Sequence, residues 1–147
     1  MPIQNKDFLI EMPISSALIG EIVKNASNED IGAHSIFIGQ VRKDTINGKT
    51  VTGIEYTAYP NMLNPEMQNI IDTVSAKYQD IKKIHILHST GLVKTGEISL
   101  LVFVACGHRK DSFRAMEEIV ELIKEKIPVW KKEIFDDNSH QWPSNKQ

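Results

Sequence analysis

The stretch Ile98-Ser99-Leu100-Leu101-Val102-Phe103-Val104-Ala105-Cys106 is nearly continuous apolar sequence, and it constrains the fold more than any other part of the chain. A strand alternates its side chains between two faces, so it can be apolar at almost every position only where both faces are covered. The run is therefore read as the central strand of a sheet. Just before it, Ile84, Ile86 and His88 alternate with His85 and Leu87, which predicts a period-two strand over Lys83 to His88 as a neighbour.

The rest of the chain supplies strands and helices in turn. Asp7 to Met12 reads as a short strand, and Ser15 caps a helix whose apolar positions Leu18, Ile19, Ile22, Val23 and Ala26 recur at helical spacing. A β-rich run from Ala33 to Val41 and a second from Val51 to Tyr59 flank the Asn47-Gly48 turn signal, which predicts a hairpin with a long tip. Asn64 as cap and Pro65 at the first helical position predict a second helix, with Met67, Ile70, Ile71, Val74 and Tyr78 on one face. Asp111 or Ser112 would cap a third, with Phe113, Met116, Val120, Ile123 and Ile127 as its stripe. The order βαββαββα predicts an α+β fold with a mainly antiparallel sheet and three helices. At 147 residues this is one domain, residues 1–147, with a polar tail from about residue 136.

Composition narrows the function. A net charge of −2 and 7% aromatic residues give neither a basic field nor a stacking platform, which argues against nucleic acid. Cys106 is the single cysteine, which excludes an intrachain disulfide and a multi-cysteine zinc site. No segment approaches the ~20 apolar residues that span a bilayer, so no membrane role and a cytoplasmic location are expected. No Gly-rich phosphate loop is present, and His34, His85, His88, His108 and His140 show no zinc spacing, so neither metal nor cofactor is expected.

Against that acidic background, cations gather in Lys124-Glu125-Lys126-Ile127-Pro128-Val129-Trp130-Lys131-Lys132-Glu133. Pro128 ends the third helix, and Trp130 could anchor the turn so that packing holds Lys131 and Lys132 in place. Upstream, Gly107-His108-Arg109 sits between the central strand and the third helix, where free N–H groups suit a phosphate and Arg109 could add a guanidinium fork. The residues alone leave plainer readings open. Lysines at a helix end complement the helix dipole, His108 could tie down a loop, and Arg109 could form a surface ion pair.

The same residues resemble the catalytic subunits of molybdopterin synthase. The likeness rests on Gly32-Ala33 leading to Phe37-Ile38-Gly39-Gln40-Val41-Arg42, then Tyr56-Thr57-Ala58-Tyr59, His88 with Gly91, Gly96-Glu97-Ile98, His108-Arg109 with Phe113, and Lys124 through Glu133. It implies an enzyme of molybdenum cofactor biosynthesis that installs two sulfurs as a dithiolene on cyclic pyranopterin monophosphate, giving molybdopterin. The sulfur would come from the C-terminal Gly-Gly thiocarboxylate of a small ubiquitin-like partner, within a heterotetramer built around a large-subunit homodimer. The resemblance makes Lys124 and Lys131 catalytic and assigns Gln40, Val41, Arg42, His108, Arg109, Lys132 and Glu133 to substrate binding.

Two positions depart from the family pattern. Ser89 stands where an arginine usually follows His88, and Thr57 where a glutamate usually follows Tyr56, changes that bear on sheet or interface pairing more than on the pocket. The family's tail arginine has no counterpart but Lys146 beyond Trp142. A crowded positive field should lower the pKa of at least one catalytic lysine, leaving a neutral fraction to act as base or nucleophile. Cys106, closing the apolar run, is read as a buried hydrophobe and not a persulfide carrier. The main rival is a non-catalytic α+β module that binds an anion or a ubiquitin-like tail without turnover.

Overall fold

The computed structural model describes residues 7–143. Its elements run β1 (Leu9–Glu11), α1 (Ser16–Ala26), β2 (Ala33–Gln40), β3 (Thr45–Ile46), β4 (Lys49–Thr57), α2 (Pro60–Lys77), β5 (Ile81–Lys94), β6 (Ile98–Cys106), α3 (Arg109–Lys126), β7 (Trp130–Phe135) and β8 (His140–Gln141). The sheet is ordered β2-β6-β5-β4-β7-β8, with β1 parallel to β5 and every other pair antiparallel. Three helices and a mainly antiparallel sheet are as expected, and β3, β7 and β8 are additions to the expected order.

β6 explains its own composition. Leu101, Phe103 and Ala105 face the cluster that Ile22 and Ala26 of α1 complete, whereas Val102, Val104 and Cys106 face the one built with Met67, Ile70 and Ile71 of α2 and Ala115 and Ile119 of α3. Both faces are therefore dry. Burying each large aliphatic side chain contributes roughly 1.5–3 kcal/mol, and Leu101, Val102, Phe103 and Val104 are all fully buried.

Several expectations need correction. The two runs around Asn47-Gly48 are not hairpin partners, since β2 pairs with β6, and β4 pairs with β5 and β7. Asn47 and Gly48, at φ 52° and 78°, instead close a tight turn between β3 and β4. α2 starts at Pro60, not Pro65, because Tyr59 before Pro60 is already held extended and its carbonyl accepts from the N–H groups of Met62 and Leu63. Pro65 lies inside the helix, and the buried Asn64 Oδ1 has no hydrogen-bond partner among the described residues. α3 starts at Arg109 with His108 as cap, so Asp111 falls in the first turn and Ser112 is buried against Ser35. The inner stripe becomes Ser112, Ala115, Ile119 and Ile123, with Val120 beside it, which turns Phe113 outward to 64% exposure.

Trp130 is 37% exposed and meets Tyr59 edge-to-face at 5.9 Å, at the edge of the core. What fixes the lysines is β7, a strand hydrogen-bonded to β4 with Lys131 opposite Tyr56 and Glu133 opposite Ile54. Ser89, at the arginine position, is fully buried and its hydroxyl donates to the Met12 carbonyl at 2.8 Å, tying the chain after β1 to β5. Lys146 lies outside the described residues.

Candidate active site

A cavity of about 600 Å³ opens where the end of β2, the start of β6, the end of α3 and the strand β7 converge. Strand alternation decides what β7 shows it: Lys131 and Glu133 line the cavity, while Lys132 points to the other face. There Lys132 lies 3.8 Å from Glu55 and over the Trp142 ring, so the structure does not bring it to the cavity. Lys124 reaches the lining from the last turn of α3. Gln40, Val41 and Arg42 follow from the bulged end of β2. Val41 is 2% exposed and contributes wall, its amide and carbonyl taken by Glu97 and Gly96. Arg42 stands at the rim, exposed, with Nε 2.6 Å from Asp44.

The electrostatics single out Lys131. Burial first, and then the nearby Lys124 ammonium, hold its pKa below the ordinary 10.5, with Glu133 pulling the other way. Glu133 is itself steadied by Gln141 of β8, whose side-chain amide donates to it at 2.6 Å. A lowered pKa enlarges the neutral fraction of the amine, which is the form a base or nucleophile needs.

His88, read from sequence as structural or substrate-facing, lines the cavity too, as do Tyr56 and Ser99, which were given no place in the site. The Tyr56 hydroxyl and Ser99 Oγ are 3.1 Å apart, and the Tyr56 ring meets His88 edge-to-face at 5.1 Å. Burial raises the Tyr56 pKa, keeping the phenol protonated. His88 is nearly buried, its Nδ1 lies 2.8 Å from the Ser89 carbonyl, and burial lowers its pKa to about 4, with Lys131 and Lys124 pushing the same way. The imidazole is therefore neutral at pH 7. The signal was present in the sequence, because His88 shares the inward parity of Ile84 and Ile86.

His108 and Arg109 are elsewhere. With Gly32, Lys110 and Phe113 they border a separate cavity of about 550 Å³. Arg109 opens α3 and Lys124 lies 15 residues further along it, which at 1.5 Å per residue is roughly 22 Å. The two cavities share no lining residue within one chain. His108 also ties a loop, its backbone N–H donating to Asp80 at 2.8 Å and holding that carboxyl below its ordinary pKa. Cys106 is fully buried, and burial, then Asp80 and Asp111, push its thiol up to about 11, far from a reactive thiolate.

Comparison with known proteins adds an independent line. The family model described as MoaE protein matches residues 10–126. The molybdopterin synthase catalytic subunit of Dictyostelium discoideum is 40% identical over 124 residues, covering 83% of this chain and 78% of the relative. The crystal structure of molybdopterin synthase from Staphylococcus aureus superposes with a TM-score of 0.83 at 33% identity, covering 95% of this chain and 98% of that one. A protein-protein complex of subunits 1 and 2 of the molybdopterin-converting factor from Helicobacter pylori matches with a TM-score of 0.80 over 97% of this chain and 91% of that one. At 21% identity the last shows a shared fold only.

Proposed function

Since this chain belongs to the MoaE protein family, that of the catalytic subunits of molybdopterin synthase, we propose that its larger cavity takes cyclic pyranopterin monophosphate and receives sulfur from the thiocarboxylated tail of a small ubiquitin-like partner. The observation that carries the reading is Lys131, a strand-held and partly buried lysine whose pKa is lowered beside Lys124. The thiocarboxylate sulfur bonds to a substrate carbon, leaving the tail joined as a thioester; water then adds to the acyl carbon, neutral Lys131 takes its proton, and the acyl carbon–sulfur bond breaks to leave the sulfur on the substrate and a carboxylate on the tail. Lys124, held at the end of α3, stabilises the oxyanion that develops at the tail's acyl carbon, a role suited to a preplaced donor. Arg42, at the rim, and Gln40 guide the substrate's polar groups. A neutral amine beside an acyl carbon can also be acylated, so a lysine-linked partner tail is a side product of the same geometry.

A homodimer within a heterotetramer would bring the two cavities of different copies together. His108 and Arg109 of one copy would hold the phosphate at the lysine pocket of the other. The Helicobacter pylori neighbour is a complex of subunits 1 and 2, which supports the small-partner half of this assembly. An enzyme acting on a free metabolite with a small protein partner would work in the cytoplasm. The test is reconstitution: purified protein, thiocarboxylated partner and cyclic pyranopterin monophosphate should yield molybdopterin. Partner and substrate binding without product would support the rival binding module.

A further inference from the structure

We propose that His88 contacts the substrate, its Nε2 accepting a hydrogen bond from an N–H of the heterocyclic end of the pterin. This rests on the functional reading above and adds a residue and a chemical role to it. A backbone carbonyl can only accept, so the 2.8 Å contact with Ser89 places the imidazole proton on Nδ1 and leaves a lone pair on Nε2. Nε2 has no hydrogen-bond partner among the described residues. Nor is it one of the side-chain atoms sealed from solvent without a partner, which are Asn64 Oδ1 and Ser75 Oγ. It therefore opens on the cavity that His88 lines, although the residue as a whole is only 7% exposed. A purely structural buried histidine would have both nitrogens satisfied.

The other groups in the cavity explain why such an acceptor is needed. Lys124 and Arg42 offer donors, matched to phosphate and to a developing oxyanion, and Lys131 is taken up by the proton transfer. Of the acceptors, Asp44 is paired with Arg42 at the rim, Glu133 receives the Gln141 amide on Oε1, the Tyr56 hydroxyl donates to Ser99, and the side-chain amides of Gln40 and Gln141 offer donors as well as an acceptor. A substrate with acceptors at its phosphate end and N–H donors on its ring would find few partners for the ring. His88 supplies one, and the charges facing it, Lys124 from α3 and Lys131 from β7, resist its protonation and keep it an acceptor.

Substitution with matched shapes tests this. His88→Phe keeps a flat ring against Tyr56 and removes the acceptor, whereas His88→Gln loses the Ser89 contact but carries a carbonyl that can reach the Nε2 position. Calorimetry with cyclic pyranopterin monophosphate and no partner excludes donors on the partner's tail. His88→Phe should raise Kd about 10-fold to 100-fold, the effect of leaving one buried donor unpaired. His88→Gln should stay within about fivefold of wild type. With saturating partner, KM should follow Kd while kcat changes less than about threefold. Should His88→Phe fail to fold, His88→Met against His88→Gln repeats the comparison at matched length. A folded His88→Phe or His88→Met protein with wild-type Kd overturns the assignment, as does His88→Gln binding no better than either. A loss of kcat at unchanged Kd overturns it too, by moving the donor to the partner's tail. A wild-type protein that does not bind the pterin removes the functional reading as well, whereas normal wild-type turnover beside an unaffected variant removes this inference alone.

Discussion

Acidification should destabilise this protein through His88 in a way that substitution cancels. The buried imidazole has a pKa of about 4 in the folded chain against an ordinary 6.5. Below pH 6.5 the unfolded chain binds a proton that the folded one refuses, so folding stability falls as pH falls, by up to 1.36 kcal/mol per pH unit. The effect is absent well above pH 6.5 and complete below about pH 4. Between pH 7 and pH 4.5 the loss integrates to about 2 kcal/mol, a large part of the stability of an ordinary domain. Asp80 and Asp137, whose carboxyls are held below their ordinary range, also weaken the fold in acid. They are common to wild type and variant, so their contribution cancels in the difference. The assay is urea unfolding of wild type and His88→Gln at pH 7, 6, 5 and 4.5, at one protein concentration. Wild type should lose about 2 kcal/mol more than the variant across the range. Parallel curves, agreeing within about 0.5 kcal/mol at every pH, would refute a buried neutral imidazole and the Ser89-fixed tautomer with it.

If pockets are shared across a dimer, Arg109→Ala and Lys131→Ala proteins, each inactive alone, should regain up to about half of wild-type turnover in mixed dimers, because one pocket is then intact; no recovery would place Arg109 and Lys131 in one chain's site. Cys106→Ala should retain most activity and cost about 1 kcal/mol in thermal or urea unfolding, since it removes one small buried atom; loss of sulfur transfer in a folded variant would make the thiol a carrier. Gly32→Ala should destabilise the fold by roughly 2 kcal/mol or more, because the added Cβ would collide with the Gly107 carbonyl beside the His108 loop; a wild-type melting temperature would contradict that close approach.

Much of the fold could be read from residue patterns because single elements announce themselves. β6 is apolar on both faces, α1 carries a serine cap whose Oγ accepts from Leu18 N–H at 3.1 Å, and β5 alternates over Ile84, Ile86 and His88. Pairing between distant strands has no such local mark, which is why β2 and β4 were expected to be partners. β7 escaped notice because Trp-Lys-Lys-Glu-Ile-Phe is partly buried along most of its length and shows no clean alternation. That omission propagated to the site. Once residues 130–135 are a strand, Lys131 and Glu133 must share a face and Lys132 must leave it. The distance from Arg109 to Lys124 was equally available, since a helix of known length separates its ends. Lys124, Lys131 and Arg42 were found through family likeness, because a charge run alone does not tell a pocket from a solvated surface.

The central claim is that Lys131 acts through its neutral form, and replacing it by arginine tests this most directly. Arginine keeps the positive charge but does not deprotonate in proteins. Molybdopterin formation should be measured for wild type, Lys131→Arg and Lys131→Ala with saturating thiocarboxylated partner, with melting curves and partner affinity for each. Both variants should fold, bind the partner within about threefold of wild type, and lose turnover by about 100-fold or more, arginine faring no better than alanine. Near wild-type turnover in Lys131→Arg would show that charge alone suffices at this position and would contradict the account.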